Sequence, residues 1–484
     1  MKKLLAFLLM AAMLLGSFAL VGCNIDLSVD IDEDNDDKGN ATGEKYEVED
    51  SLTYDGSAVT IKFYHTMGQN LRDVLDLYIP EFNKLYPNIT IVHEQVGSYD
   101  DVRDQISKEI VVGNQPHIAY CYPDHVALYN LAKAVVTLDG LMDSTAEVKH
   151  ADGTTEILGF TDAQKADFIE GYYNEGKQFG DNLMYTLPLS KSTEVLYYNK
   201  TFFEANNLSV PKTWEEMEAL CAKIKEIDPD SIPLGYDSSA NWFITMCEQY
   251  GSPYTSATGE HFLFDNETNR NFIATFNRWY NAGYITTQKI FGAYTSGLFV
   301  SDGTTKSYMS IGSSAGATHQ RPEANDQGEY PFEVGITTIP QVNAEAPKVI
   351  SQGPSLCIFN KANQQEVLAS WLFVKFLTTN VEFQAEFSMA SGYVPVIKSV
   401  GENAAYKEFI AKADGGNHIS ALSAKVCLAQ ADAYYTSPAF NGSSDARDAV
   451  GALLDQCIAM FGDNVAADIE KAFKDAVNKC KYGS

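Results

Sequence analysis

An α/β architecture divided between two domains is predicted by three features of the chain. Strand-like apolar runs alternate with helical periodicities, the alternation restarts near residue 193, and the length exceeds what a single core fills. Val59 to Tyr64 is β-prone, and Leu71, Val74, Leu75, Tyr78, Phe82 and Leu85 follow at helical spacing. Ile89 to Val92 reads as the next strand, Tyr99 to Val112 as a helix, and Ile118 to Tyr122 as a strand leading into another helix, the order of a largely parallel sheet. The second block opens with a strand at Val195 to Tyr198. Helices follow at Trp214 to Ile227, Trp242 to Tyr250 and Asn269 to Ala282. After Gly303, strands return at Tyr308 to Ile311 and Val334 to Ile339, ahead of a long helix from Gln364 to Leu377. The last segment is predicted helical, with Val465, Ile469, Phe473 and Val477 on one face.

The amino-terminal residues carry a different message. Lys2 and Lys3 precede the apolar run Leu4 to Leu15, and the stretch closes on Leu20-Val21-Gly22-Cys23. This run is too short for a membrane span and is read as an export signal over residues 1–22 ending in a lipobox. Cys23 would then become the acylated amino terminus, carrying diacylglyceryl and palmitate-type chains; an ordinary secretory signal with an unrelated cysteine is the alternative. Residues 23–57 contain Asp30, Asp32, Glu33, Asp34, Asp36 and Asp37 and are expected to form an acidic disordered tether. A calcium loop started at Asp32 would need Gly and Glu at its sixth and twelfth positions, where Asp37 and Gly43 stand.

A formal net charge of −29 argues against nucleic acid and against adsorption to an anionic membrane face. It describes the surface rather than a cleft, so an anionic ligand stays open. Besides Cys23 there are Cys121, Cys221, Cys247, Cys357, Cys427, Cys457 and Cys480, an odd set without CxxC spacing and therefore a poor disulfide framework. The sequence has no GxSxG elbow, P-loop or HExxH, and His65, His117 and His125 lack metal-ligand spacing, so no cofactor, metal or catalytic residue is assigned. Two carboxylates brought together in space for glycoside cleavage leave no local signature, so a surface glycan-active enzyme or an adhesin stays among the alternatives.

Several segments resemble the extracellular solute-binding proteins (family 1) of carbohydrate-type ABC importers, and within them the glycerol-3-phosphate and glycerophosphodiester binders. They are Phe63-Tyr64-His65-Thr66-Met67, Gly97-Ser98-Tyr99, the run from Leu187 to Lys200, Pro211-Lys212-Thr213-Trp214, Gly312-Ser313-Ser314, Gln352-Gly353-Pro354-Ser355 and Ser391-Gly392-Tyr393-Val394-Pro395. The resemblance runs from Val59 to about Met460 and implies a two-lobed periplasmic-binding-protein-like fold of type II, with hinge-linked discontinuous lobes and a ligand cleft between them. On that footing residues 58–193 and 304–354 would form the N-lobe, residues 194–303 and 355–484 the C-lobe, and the hinge would be crossed near Thr193, Gly303 and Pro354. It implies capture and closure without chemistry, by a monomer that delivers to ABC permease subunits, while the short basic signal and acidic tether suggest the extracytoplasmic face of a Gram-positive type of cell surface.

The resemblance also nominates contacts for sn-glycerol-3-phosphate or a glycerophosphodiester. Tyr99 would bring a phenol and free helix-start amides to an anion. Ser192 and Ser313 would donate hydroxyls, Gly353 a backbone N–H and Tyr393 a second phenol. Arg447 would grip phosphate through its planar guanidinium. Two departures leave the ligand open: Asp124 stands one residue beyond the family's glutamate, and Trp242 is displaced within a cleft-wall segment. Asp124 with Trp242 suits a mono- or oligosaccharide almost as well.

Overall fold

The computed structural model describes Tyr46, Val48 and residues 52–179, 181–414 and 418–482. The residues read as an export signal, as a lipobox with Cys23 and as the acidic part of a tether lie outside the described residues. The end of the segment read as tether does pack: Tyr46, Val48 and Leu52 lie against the first core, and Tyr54 is only 6% exposed. Their apolar side chains have a face to cover, so the tether expectation is corrected from Leu52 onward, and at Tyr46 and Val48.

The first sheet has five strands in the order β2-β1-β3-β13-β6. Strands β1 (Val59–His65), β2 (Ile89–Gln95) and β3 (Ile118–Cys121) run parallel, as the alternating pattern predicted. Between them, α1 (Gln69–Leu85) buries Leu71, Val74, Leu75, Tyr78 and Phe82, the predicted face. Helix α2 (Tyr99–Val111) follows β2, and α3 (Pro123–Asn130) follows β3. A small hairpin of β4 (Glu147–Lys149) and β5 (Thr155–Ile157) precedes the edge strand β6 (Leu187–Pro188).

The second sheet, in the order β11-β7-β10-β8-β9, is built from β7 (Glu194–Asn199), β8 (Leu234–Tyr236), β9 (Ile285–Thr287), β10 (Met309–Ser313) and β11 (Val334–Thr338). Its core is supplied by α4 (Trp214–Ile227), α5 (Ser239–Tyr250) and α6 (Glu267–Asn281). Thr213, Ser238 and Asn266 each cap one of these helices by accepting the N3 amide, which explains their sharp starts. Past the short strand β12 (Val349–Ile350), β13 (Ser355–Ile358) returns to the first sheet, antiparallel to β3 with Ser355 opposite Cys121. Helices α7 (Gln364–Thr379) and α8 (Val381–Met389) pack there too. After β14 (Tyr434–Tyr435), which pairs with β12, α9 (Ser443–Ile458) and α10 (Val465–Tyr482) complete the second core.

These pairings correct the expected lobe boundaries. Residues around β10 and β11 belong with the second sheet, because Met309–Ser313 and Val334–Thr338 both pair with β7. Residues from 355 through α8 belong with the first. No passage between sheets occurs at Gly303, which lies within the second-sheet segment; the chain passes at 189–193, at 350–354 and again between residues 394 and 419, before helix Ile419–Ala429 packs on β11. The local pattern predicted these strands, but it carries no information on which sheet takes them. At the hinge the segments lie side by side, Ser192 bridging Gln352 and Lys191 bridging Val394. Among the described residues no helix is long and apolar enough to cross a membrane. Six of the described cysteines are buried free thiols and Cys480 is partly exposed.

Candidate functional site

Two helix starts line one cleft, and a third packs against them. Tyr99 opens α2, Tyr122 and Asp124 sit at the start of α3, and Ser443 with Arg447 lies in the opening turns of α9. The Tyr99 and Tyr122 rings stack at 4.5 Å, and the Ser444 hydroxyl reaches across to donate to Asp124 Oδ2 at 2.8 Å. The lobes thus touch over a cavity of about 80 Å³ set within some 650 Å³ of non-atom space that opens to solvent. Its walls come from Tyr122, Asp124 and Glu175 on one side, Ile244, Tyr254 and Arg447 on the other, with Ser351 and Gln352 of the hinge between. Gln352 Oε1 is buried and has no hydrogen-bond partner among the described residues.

Arg447 is the one basic side chain among the described residues lining this cavity. Its Nη2 donates to Asn241 Oδ1. The same amide donates through Nδ2 to Glu194 Oε1 at 3.1 Å, and Glu194 Oε2 accepts from the Tyr236 hydroxyl at 2.5 Å. Burial pushes the Glu194 carboxyl up to about 7, against the lowering pull of Tyr236, Asn241 and Arg447. For Asp124, burial also pushes upward, but His125, Arg447 and the Ser444 hydrogen bond outweigh it and hold the carboxyl below the usual range. Burial raises the Tyr99, Tyr122 and Tyr393 phenols, and Tyr393 bears on both of the others, which places it in the same aromatic cluster.

The cavity floor holds a buried ion pair. Glu175 Oε1 accepts from Lys191 Nζ at 2.6 Å, and the two side chains are 3% and 0% exposed. Lys191 also donates to the Gly353 carbonyl and Ser355 Oγ, while Ser351 donates to Glu175 Oε2 at 3.0 Å. Satisfying the remaining lone pairs and protons in this way is what makes a buried pair tolerable.

Of the nominated residues, Asp124 and Arg447 line the cavity, while Tyr99 and Tyr393 lie in the aromatic cluster with Tyr122. Ser192, Ser313 and Gly353 lie behind the cavity at the hinge. The Ser313 hydroxyl is 3.5 Å from that of Ser192 and accepts the Ala315 amide. Gly353 has φ +95°, and a Cβ there would lie 2.6 Å from the Ser190 carbonyl. Two expectations are corrected. The start of α2 offers fewer free amides than expected, because a reciprocal capping box takes up the Ser98 and Asp101 N–H groups. Trp242 is not a cleft wall: it is 0% exposed, between Tyr236 at 4.6 Å and Phe276 at 4.2 Å. With 3.6 residues per turn, α5 turns Asn241 and Ile244 to the cleft and Trp242 to the core. Glu175, Glu194, Tyr122 and Gln352 were not singled out from sequence. Only Glu194 leaves a trace there, as a carboxylate at the head of the apolar run Val195-Leu196-Tyr197.

Two α/β lobes about a multi-stranded hinge, with a polar cleft between them, define the architecture of a two-lobed binding protein. The chain belongs to the bacterial extracellular solute-binding protein family, which it matches over residues 78–413, and is the substrate-binding component of an ABC importer. It is 24% identical over 373 residues to the sn-glycerol-3-phosphate-binding periplasmic protein UgpB of Salmonella typhimurium, covering 73% of this chain and 78% of that protein. The Escherichia coli K12 UgpB is likewise 24% identical over 377 residues, covering 75% and 80%. Among solved structures, UgpB from Mycobacterium tuberculosis in complex with glycerophosphocholine superposes with TM-score 0.67 at 16% identity, covering 87% of this chain and 99% of that one. The cyclic α-maltosyl-1,6-maltose binding protein of Arthrobacter globiformis gives 0.64 at 17%, covering 88% and 100%. At these identities the structural likeness establishes the two-lobed fold.

Proposed function

We propose that this protein captures a glycerophosphodiester, with sn-glycerol-3-phosphate as a weaker ligand, and that Cys23 anchors it by acyl chains to the extracytoplasmic face of the membrane. The carrying observation is the charge pattern around Arg447. One guanidinium and the positive ends of α3 and α9 favour an anion. Asp124 beside it and Glu194 behind it oppose a second negative charge. A phosphodiester carries one fixed charge and suits this site better than a dianionic monoester. Arg447 would hold the phosphate, Tyr99 and Tyr393 would flank it, and Asp124 with Gln352 would take the polyol hydroxyls. Ser192, Ser313 and Gly353 support the site from the hinge in this reading.

A neutral mono- or oligosaccharide is the second reading, favoured by Asp124 and the Tyr99–Tyr122 stack, since carboxylates take sugar hydroxyls and rings take apolar sugar faces. Calorimetric titration of the protein with glycerophosphocholine, sn-glycerol-3-phosphate and maltose separates them. Binding of the phosphates in the order diester above monoester is expected, and binding of maltose alone would sink the proposal. For the anchor, Cys23→Ala should release the protein into the medium, while unchanged membrane retention would exclude acylation at that residue.

A further inference from the structure

Glu194 does not line the cavity, and the functional reading gives it no contact with ligand. It is fully enclosed at the head of β7, yet it sits one side chain away from the guanidinium, with Asn241 bonded to both. We propose that Glu194 is the charge-selecting residue of this site: an anion docking on Arg447 drives a proton onto the buried Glu194 carboxylate, so the cleft accommodates one added negative charge and disfavours two. This rests on the reading of Arg447 as the anion contact.

The geometry supports such a coupling. The groups facing Glu194 are the Tyr236 phenol at the end of β8, the Asp237 carboxylate just after it, the Asn241 amide of α5, the Tyr435 phenol of β14 and Arg447 of α9. Only Arg447 is cationic among them. An anion that neutralises Arg447 removes the one positive charge that keeps Glu194 ionised, while Asp237 continues to repel it. With burial already placing the carboxyl near neutrality, the incoming charge tips it to the acid form. The proton comes from solvent and resides on Oε2. Facing that oxygen is the Tyr236 hydroxyl, which can rotate from donor to acceptor; facing Oε1 is the Asn241 Nδ2, which can only donate. The Asn241 amide therefore keeps its orientation, and Arg447 stays in place through the proton transfer.

Glycerophosphocholine is the suitable probe, because its charge does not change in the working range. Titrating it at pH 7 in buffers of different ionisation enthalpy gives the number of protons taken up, expected at roughly 0.5 per ligand for a group poised near half-ionisation. The Kd should rise about two- to tenfold from pH 6 to pH 8. In Glu194→Gln, which retains an acceptor for Asn241, proton uptake and pH dependence should vanish, and sn-glycerol-3-phosphate should gain affinity several-fold at pH 8. Uptake that persists in Glu194→Gln would assign the proton elsewhere, His125 beside Asp124 being the other buried base, and would overturn the inference. So would wild-type binding without proton uptake. If Glu194→Gln fails to fold, Tyr236→Phe tests the same point, since loss of that hydrogen bond should move the pH dependence upward. Wild-type protein that binds no phosphate ligand at any pH would overturn the functional reading and this inference together; tight but pH-independent binding would overturn this inference alone.

Discussion

Truncation of Arg447 is the most informative perturbation of the proposed site. In the cleft its guanidinium bonds Asn241 Oδ1 and lies beside Asp124, with the cavity on its remaining side. Arg447→Ala would remove a charge-assisted donor pair from the phosphate and leave Asn241 Oδ1 without its donor. Deleting one member of a buried hydrogen-bonded charge pair costs about 2 to 5 kcal/mol. That corresponds to a Kd increase of roughly 30- to 5,000-fold. Calorimetric titration with glycerophosphocholine measures it directly, with circular dichroism confirming that the fold is kept. Arg447→Lys should fall between the two, because an ammonium retains charge but not the planar fork. The carboxyl of Asp124 should also titrate higher in the alanine variant, since Arg447 is one of the groups holding it down. A change in Kd below about twofold, or ~0.5 kcal/mol, would mean that the arginine faces solvent when ligand is bound.

Other expectations concern stability. Lys191→Met strands the buried Glu175 carboxylate and should cost about 3 to 5 kcal/mol in urea unfolding, with much of the loss recovered in Lys191→Met combined with Glu175→Gln; equal losses would argue against the pair. Trp242→Ala should cost about 3 to 5 kcal/mol by leaving a cavity against Tyr236 and Phe276, and a loss under ~1 kcal/mol would return Trp242 to the cleft surface. His65 accepts the Met67 amide at Nδ1 and faces His93 Nδ1 through Nε2. Burial first, then His93 and Arg72, depress it from 6.5 to about 3. Above pH 6.5 it is neutral in both folded and unfolded chains; below, the unfolded chain takes a proton the native state refuses. Stability should therefore fall by up to about 1.4 kcal/mol per pH unit between those values, and His65→Gln should flatten that slope.

Much of the fold was legible because it is written in local periodicity. The face of α1 from Leu71 to Phe82, the span of α4 and the strand at Val334 all follow from spacing alone. The partition between lobes was not legible, because Met309–Ser313 and Ser355–Ile358 are short apolar strands that either sheet could accept. Only the register of each against β7 and β3 decides. Within the site, Tyr99, Tyr393 and Arg447 could be nominated through the family resemblance of the segments that carry them. Glu175 and Glu194 could not, since a carboxylate gains its meaning from Lys191, Asn241 and Tyr236, which lie far along the chain.

The Glu175–Lys191 pair also constrains how the lobes can swing. A buried ion pair cannot be stretched into an apolar interior without exposing two bare charges to it. Lys191 and its partners Gly353 and Ser355 belong to the hinge segments, while Glu175 belongs to the cavity floor. The pivot of lobe rotation is therefore pinned close to this pair, and displacement must grow with distance from it, as along a lever. The contact of Asp124 with Ser444 is then expected to part first, with little movement of Ser351 and Gln352. Spin labels placed across the mouth should report a ligand-dependent distance change, and labels flanking residues 175 and 191 should report almost none; equal changes at both would place the axis elsewhere.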